Sequence, residues 1–172
     1  MILVFLGYMA SGKSTVGKHV AEILNYSFID LDFYIEEKEK MKVKDIFETK
    51  GEIYFRKIEH TYLKDIINEQ KNCVLSLGGG TPCFYDSVDW LNTINNVITI
   101  YLKASIDVIT TRLVNDTIRP LISHLKSKEE IKEFIAKHLF ERSFFYNKAQ
   151  IKLNTTDLSI EEISEKILLE LF

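Results

Sequence analysis

The chain has 172 residues, 46% of them apolar and 27% charged, with two prolines and a formal charge of −3. That length can bury one core without disulfides or a structural metal. The mildly acidic balance excludes a broad basic field for nucleic acid or anionic lipid, so an anionic ligand must be met by a few placed Arg, Lys and backbone N–H groups.

Short apolar runs at 2–6, 27–29, 73–77, 97–102 and 150–153 alternate with helical patterns. This predicts a parallel α/β sheet whose Val/Ile/Leu-rich strands are covered on both faces. No repeat, low-complexity tract or linker interrupts the pattern, so residues 1–172 are expected to form one domain. The opening run lacks a charged leader and is far shorter than the ~20 residues of a membrane span. A cytoplasmic protein without membrane attachment is the expectation.

The first run leads into Gly7-Tyr8-Met9-Ala10-Ser11-Gly12-Lys13-Ser14, a match to G-x-x-x-x-G-K-[ST], and then into a helical pattern over 13–24. Strand before and helix after is the context this phosphate loop requires. Glycine lets successive N–H groups turn toward phosphate oxygens, and the helix N-terminus adds partial positive charge. Gly7, Met9, Ala10, Ser11, Gly12, Lys13, Ser14 and Thr15 are therefore candidate nucleotide contacts, with Lys13 on the β/γ-phosphates and Ser14 on Mg²⁺.

Asp30-Leu31-Asp32 ends the second run. Strand alternation would put both carboxylates on one face at the carboxyl edge, where open α/β sheets bind ligands. Asp30 could hold the Mg²⁺ shell and Asp32 could accept a hydroxyl proton; the plainer alternative is that Asp32 caps a helix over 33–40. Helical patterns follow at 43–49 and 52–69, the second opening with Gly51-Glu52-Ile53-Tyr54-Phe55-Arg56. Gly78-Gly79-Gly80, after the third run, either bares N–H groups for ligand oxygens or is merely a tight turn. Helices are expected at 87–93 and 105–114. The segment from 115 to 125, with Arg119-Pro120-Leu121, has no periodicity and suits a lid that carries Arg119 to a transferring phosphoryl group. Capping boxes at Ser127-x-x-Glu130 and Ser159-x-x-Glu162 start two more helices; Arg142 lies on the first, just before Phe144-Phe145-Tyr146. The second should bury Ile160, Ile163, Ile167 and Leu171. Cys73, Cys83 and the scattered His19, His60, His124 and His138 have no metal or redox spacing.

Taken in order, G-x-x-x-x-G-K-S, D-L-D, G-E-x-x-F-R, L-G-G-G, R-P-L and E-R-x-x-x-Y resemble the shikimate kinase family over essentially the whole chain. The resemblance implies a three-layer P-loop fold like that of the nucleoside monophosphate kinases. Its parts are a five-stranded parallel sheet flanked by helices, a mobile lid over about 113–125 and a small substrate-binding helical region over about 33–61. It implies ATP and Mg²⁺ as cofactors, phosphorylation of the 3-hydroxyl of shikimate, and binding of small molecules only; the small size and the absence of an extra apolar stripe point to a monomer. By position, Lys13, Asp32 and Arg119 would be catalytic, and Ser14 and Asp30 would serve the metal. Asp32, Arg56, Gly78, Gly79, Gly80 and Arg142 would bind the acid, with Arg112, Asn154 and Thr155 at the adenine. Two guanidinium forks suit a carboxylate. A gluconate-type kinase should lack that arginine pair, and a non-catalytic nucleotide-binding module should have lost Asp32 or Arg119. The family often has glycine where this chain has Ala10, a methyl that is tolerable if its φ is negative.

Overall fold

The first strand, β1 (Ile2–Leu6), is fully buried, and its side chains alternate between two cores. Ile2, Val4 and Leu6 enter one and Leu3 and Phe5 the other, as the two-residue period of a strand requires. A strand buried on both faces needs helices on both sides. The computed structural model, which describes residues 1–114, 125 and 127–172, provides them. Strands β2 (Ser27–Asp30), β3 (Cys73–Ser76), β4 (Val97–Lys103) and β5 (Ile151–Asn154) join β1 in a five-stranded sheet, all parallel, of order β2-β3-β1-β4-β5.

Helices α1 (Lys13–Leu24) and α7 (Ile160–Leu171) cover one face, packing Val16, Val20, Ile163 and Ile167 onto Leu3 and Phe5. The other face carries α2 (Leu31–Glu39), α3 (Val43–Glu69), α4 (Ser87–Asn92), α5 (Ile106–Val114) and α6 (Lys128–Tyr146). The expected three-layer α/β architecture is therefore observed. Because β1 lies between β3 and β4, the strand order reverses there. The loops leaving the carboxyl ends of β1 and β3 thus open a crevice, the usual ligand position in such sheets.

Both capping boxes form, with reciprocal bonds between Ser127 and Glu130 and between Ser159 and Glu162. Two expectations need correction. Helix α2 starts earlier than residue 33: Asp30 is its N-cap, accepting from the Phe33 N–H at 3.4 Å, so Asp32 sits in the first helical turn and strand alternation does not apply to it. The capping carboxylate and a second acid beside the positive helix end favour helix over further strand. On α7, Ile163 and Ile167 are buried but Ile160, in the first turn facing the crevice, is 37% exposed, and Leu171, in the last turn, is only half-buried.

The helical patterns 43–49 and 52–69 are two arms of α3, kinked at Gly51, whose φ of 82° and ψ of 170° belong to a region that is essentially glycine-only. Glu39, at the end of α2, ties both arms down. Its carboxylate accepts from Lys50 Nζ at 3.0 Å and from the hydroxyls of Tyr54 and Tyr62 at 2.8 Å each, which holds it below the usual glutamate range. The second arm carries Arg56. Nothing lies within 4 Å of where a Gly51 Cβ would stand, so Gly51→Ala adds strain without a clash. It should cost about 1–3 kcal/mol, which in a domain of this size lowers Tm by about 2–4 °C per kcal/mol. An unchanged Tm in calorimetry would show that the kink does not depend on glycine.

Candidate active site

The loop between β1 and α1 lines a crevice cavity of about 560 Å³. Gly7 is required there by position, since a Cβ would stand 2.8 Å from the Leu102 carbonyl oxygen. Helix α1 begins with Gly12, which offers no capping side chain, and has no acid in its first turn. Its orphan N–H groups and partial positive charge are thus left for an anion. Lys13 is 8% exposed and donates to the carbonyl oxygens of Gly7 and Tyr8, each at 2.9 Å, so its ammonium is aimed along the loop. The Ser11 hydroxyl is buried in the cradle with no hydrogen-bond partner among the described residues. Such a group costs about 1–3 kcal/mol, and a phosphate oxygen would satisfy it. These features fit a nucleoside triphosphate.

Ala10 does not meet the condition under which its methyl is easily tolerated, a negative φ. Its φ is +59°, in the left-handed region, where a Cβ costs about 1–2 kcal/mol. The loop must turn there to present its N–H groups, and the Ala10 carbonyl is pinned by Arg112 of α5, whose Nη1 donates to it at 2.8 Å.

Hard oxygen donors gather beside the loop. Ser14 Oγ donates to Asp30 Oδ2 at 2.9 Å and lies 3.4 Å from Ser76 Oγ. No cluster of three His, Cys, Asp or Glu residues exists among the described residues. One carboxylate and one hydroxyl fit Mg²⁺, which typically takes its remaining ligands from phosphate and water. Asp32 is half-buried, and its carboxyl is pushed up to about 6 by burial and then by the negative charges of Asp30 and Glu59. Lys13 and Arg56 pull in the opposite direction.

Two guanidinium groups approach one stretch of main chain. A Cβ on Gly80 would stand 2.5 Å from Arg56 Nη2, one on Gly79 3.8 Å from Arg142 Nη1, and one on Gly78 2.9 Å from Asp32 Oδ1. None of the three glycines has a positive φ, so it is close approach, at Gly78 and Gly80, rather than a left-handed turn that favours glycine; a Cβ on Gly79 would make only ordinary contacts. Arg56 is held ready: its Nη1 donates to Glu59 Oε2 at 2.8 Å, and its guanidinium lies 4.3 Å from the Phe84 ring centroid. Glu59, 2% exposed, also accepts from Thr81 Oγ1 at 2.7 Å.

Lys13, Ser14, Asp30, Asp32, Gly78 and Gly79 thus line one crevice, and Arg56, Gly80 and Arg142 adjoin it along the glycine run. Asn154 and Thr155 stand apart from it. Thr155 is buried and donates Oγ1 to the Lys103 carbonyl oxygen, while exposed Asn154 accepts from the Thr156 N–H. The cavity wall near Arg112 is instead apolar, made by Leu158, Ile160 and Ile163, which suits a flat base. Arg119 and most of the expected lid lie outside the described residues. Sequence reasoning missed Glu59, Thr81, Phe84, Ser76 and Tyr8. Only Glu59 carried a local signal, its spacing three residues after Arg56 on a helix.

A family model described as shikimate kinase matches residues 9–172. The chain is 46% identical over 167 residues to a shikimate kinase of Flavobacterium johnsoniae, covering 96% of each chain. It is 44% identical to that of Azobacteroides pseudotrichonymphae, covering 95% of each. Among solved structures, shikimate kinase from Bacteroides thetaiotaomicron superposes with a TM-score of 0.91 at 36% identity, covering 99% of this chain and 98% of that one. Shikimate kinase from Acinetobacter baumannii in complex with shikimate gives 0.83 at 29% identity, covering 99% and 92%.

The raised carboxyl of Asp32 has a measurable consequence. With a folded pKa of about 6 against an ordinary value of 3.8, the folded state disfavours the ionised form. The resulting penalty is absent below the unfolded pKa, grows as pH rises between the two values, and is complete above the folded one. Asp32→Asn should therefore stabilise the free protein by roughly 1–3 kcal/mol at pH 8 and by about half as much near pH 5. Urea unfolding at both pH values checks this; an equal or opposite change would contradict the charge crowding.

Proposed function

The chain belongs to the shikimate kinase family, and we propose how its residues carry out transfer of the γ-phosphoryl group of ATP to the 3-hydroxyl of shikimate. The observation that carries the assignment is the convergence of Asp32, Arg56 and Arg142 on Gly78–Gly80 beside the phosphate loop.

The triphosphate lies along the loop N–H groups, the Ser11 hydroxyl and the α1 N-terminus, with Lys13 turning from its carbonyl partners to the β/γ-phosphates. The adenine rests between Arg112 and the apolar wall of Leu158 and Ile160. Ser14 and Asp30 would hold Mg²⁺, which would neutralise phosphate charge. Arg56 and Arg142 grip the acid's carboxylate, each as a planar fork. Glu59 keeps the Arg56 fork oriented, so little side-chain freedom is lost on binding. Asp32 points the 3-hydroxyl at the γ-phosphorus and takes its proton as the new P–O bond forms and ADP leaves. Arg119 supplies further positive charge to the transferring group.

ADP formation from ATP and Mg²⁺ should depend strictly on shikimate when shikimate, quinate, gluconate and no acceptor are compared. Turnover with gluconate instead would overturn the acceptor assignment. In the same assay Arg56→Lys, which cannot reproduce the bidentate fork, should raise KM for shikimate about tenfold or more, while KM for ATP stays within about threefold. An unchanged KM for the acid would remove Arg56 from the site.

A further inference from the structure

The second residue of the phosphate loop, Tyr8, does not turn its side chain toward the nucleotide cavity. It is 1% exposed, packed in the core on the helix side of the sheet, and reaches α6. Its hydroxyl lies 3.2 Å from His138 Nδ1, and the two rings meet edge-on with centroids 6.3 Å apart. Four residues after His138 on the same face of α6 stands Arg142, whose guanidinium carbon is 5.8 Å from the Tyr8 ring centroid. That is inside the ~6 Å range over which a ring face attracts a cation. One turn further on, buried Tyr146 donates its hydroxyl to the Gly79 carbonyl oxygen at 2.6 Å. Meanwhile the Tyr8 carbonyl oxygen accepts from Lys13 Nζ at 2.9 Å. Burial pushes the Tyr8 phenol up to about 12, so it stays neutral at working pH.

We propose that Tyr8 is a positioning residue for the acid substrate: its ring, anchored through its hydroxyl to His138, holds the Arg142 guanidinium where the carboxylate is received. The inference rests on the assignment of Arg142 to that carboxylate. A free arginine side chain has many rotamers, and fixing it before the ligand arrives removes that entropy from the binding step. Arg56 is fixed by an ion pair with Glu59, whereas the Tyr8 ring face and the Tyr146 hydroxyl orient Arg142 without neutralising it. The full positive charge of Arg142 therefore remains for the ligand. Since the Lys13 contact uses the Tyr8 carbonyl, side-chain substitutions at Tyr8 leave the nucleotide contact in place.

The test compares KM values for shikimate and for its uncharged methyl ester in the wild-type, Tyr8→Phe and Tyr8→Leu enzymes. Tyr8→Leu should raise KM for shikimate roughly 3–30-fold, with KM for the ester and for ATP within about twofold. Tyr8→Phe keeps the ring and should restore most of the acid affinity. An equal rise for acid and ester, or a KM for shikimate unchanged in Tyr8→Leu, would overturn the role of Tyr8 while leaving the function intact. Failure of the wild-type enzyme to prefer the acid over its ester would instead overturn the carboxylate assignment, and the proposal with it. If Tyr8→Leu does not fold, Tyr8→Met, close to it in volume and more adaptable in packing, carries the same comparison.

Discussion

The site depends on one steric constraint: the main chain leaving β3 must pass within contact distance of three charged side chains. Asp32, Arg56 and Arg142 each occupy space that a Cβ on Gly78, Gly80 or Gly79 would enter or touch. Any side chain at Gly78 or Gly80 would require the Asp32 carboxylate or the Arg56 guanidinium to shift from its present position. The sheet order supplies the rest. Placing β3 between β1 and β2 brings the glycine run beside both the phosphate loop and the Asp30–Asp32 turn.

Holding these charges together works against folding. Burial, and then the negative charges of Asp30 and Glu59, raise the Asp32 carboxyl, and burial raises Glu59 as well. Ala10 is held at a positive φ, and the Ser11 hydroxyl is buried without a partner. Each of these is unfavourable in the free protein. The two apolar cores on either side of the sheet offset them. Active sites commonly trade stability for preorganised charge in this way.

How much of this could be read from the sequence follows the range of the interaction involved. The phosphate loop, both capping boxes and the break between the arms of α3 at Gly51 depend on neighbours within a turn or two, and all were legible. Asp32 was expected on the correct side of the sheet for the wrong reason, because the capping chemistry of Asp30 begins the helix earlier than alternation suggests. Ala10 shows a different limit, since the sign of φ is imposed by the loop and by Arg112 from α5. Contacts between distant segments were invisible: Glu59 to Thr81, Tyr8 to His138 and Tyr146 to Gly79 each join residues far apart in the chain. Phe84 and Tyr146 belong with them: one packs on the Arg56 guanidinium and the other fixes the glycine run.

The central claim is that the Asp32 carboxylate must be ionised to receive the acceptor's proton. The pH dependence of kcat/KM for shikimate, which reports groups of the free enzyme, tests it most directly. The expected profile is level above neutrality and falls tenfold per pH unit below about 6, where Asp32 takes up its proton. A profile that stays level down to pH 5 would contradict the assignment of Asp32 as the base.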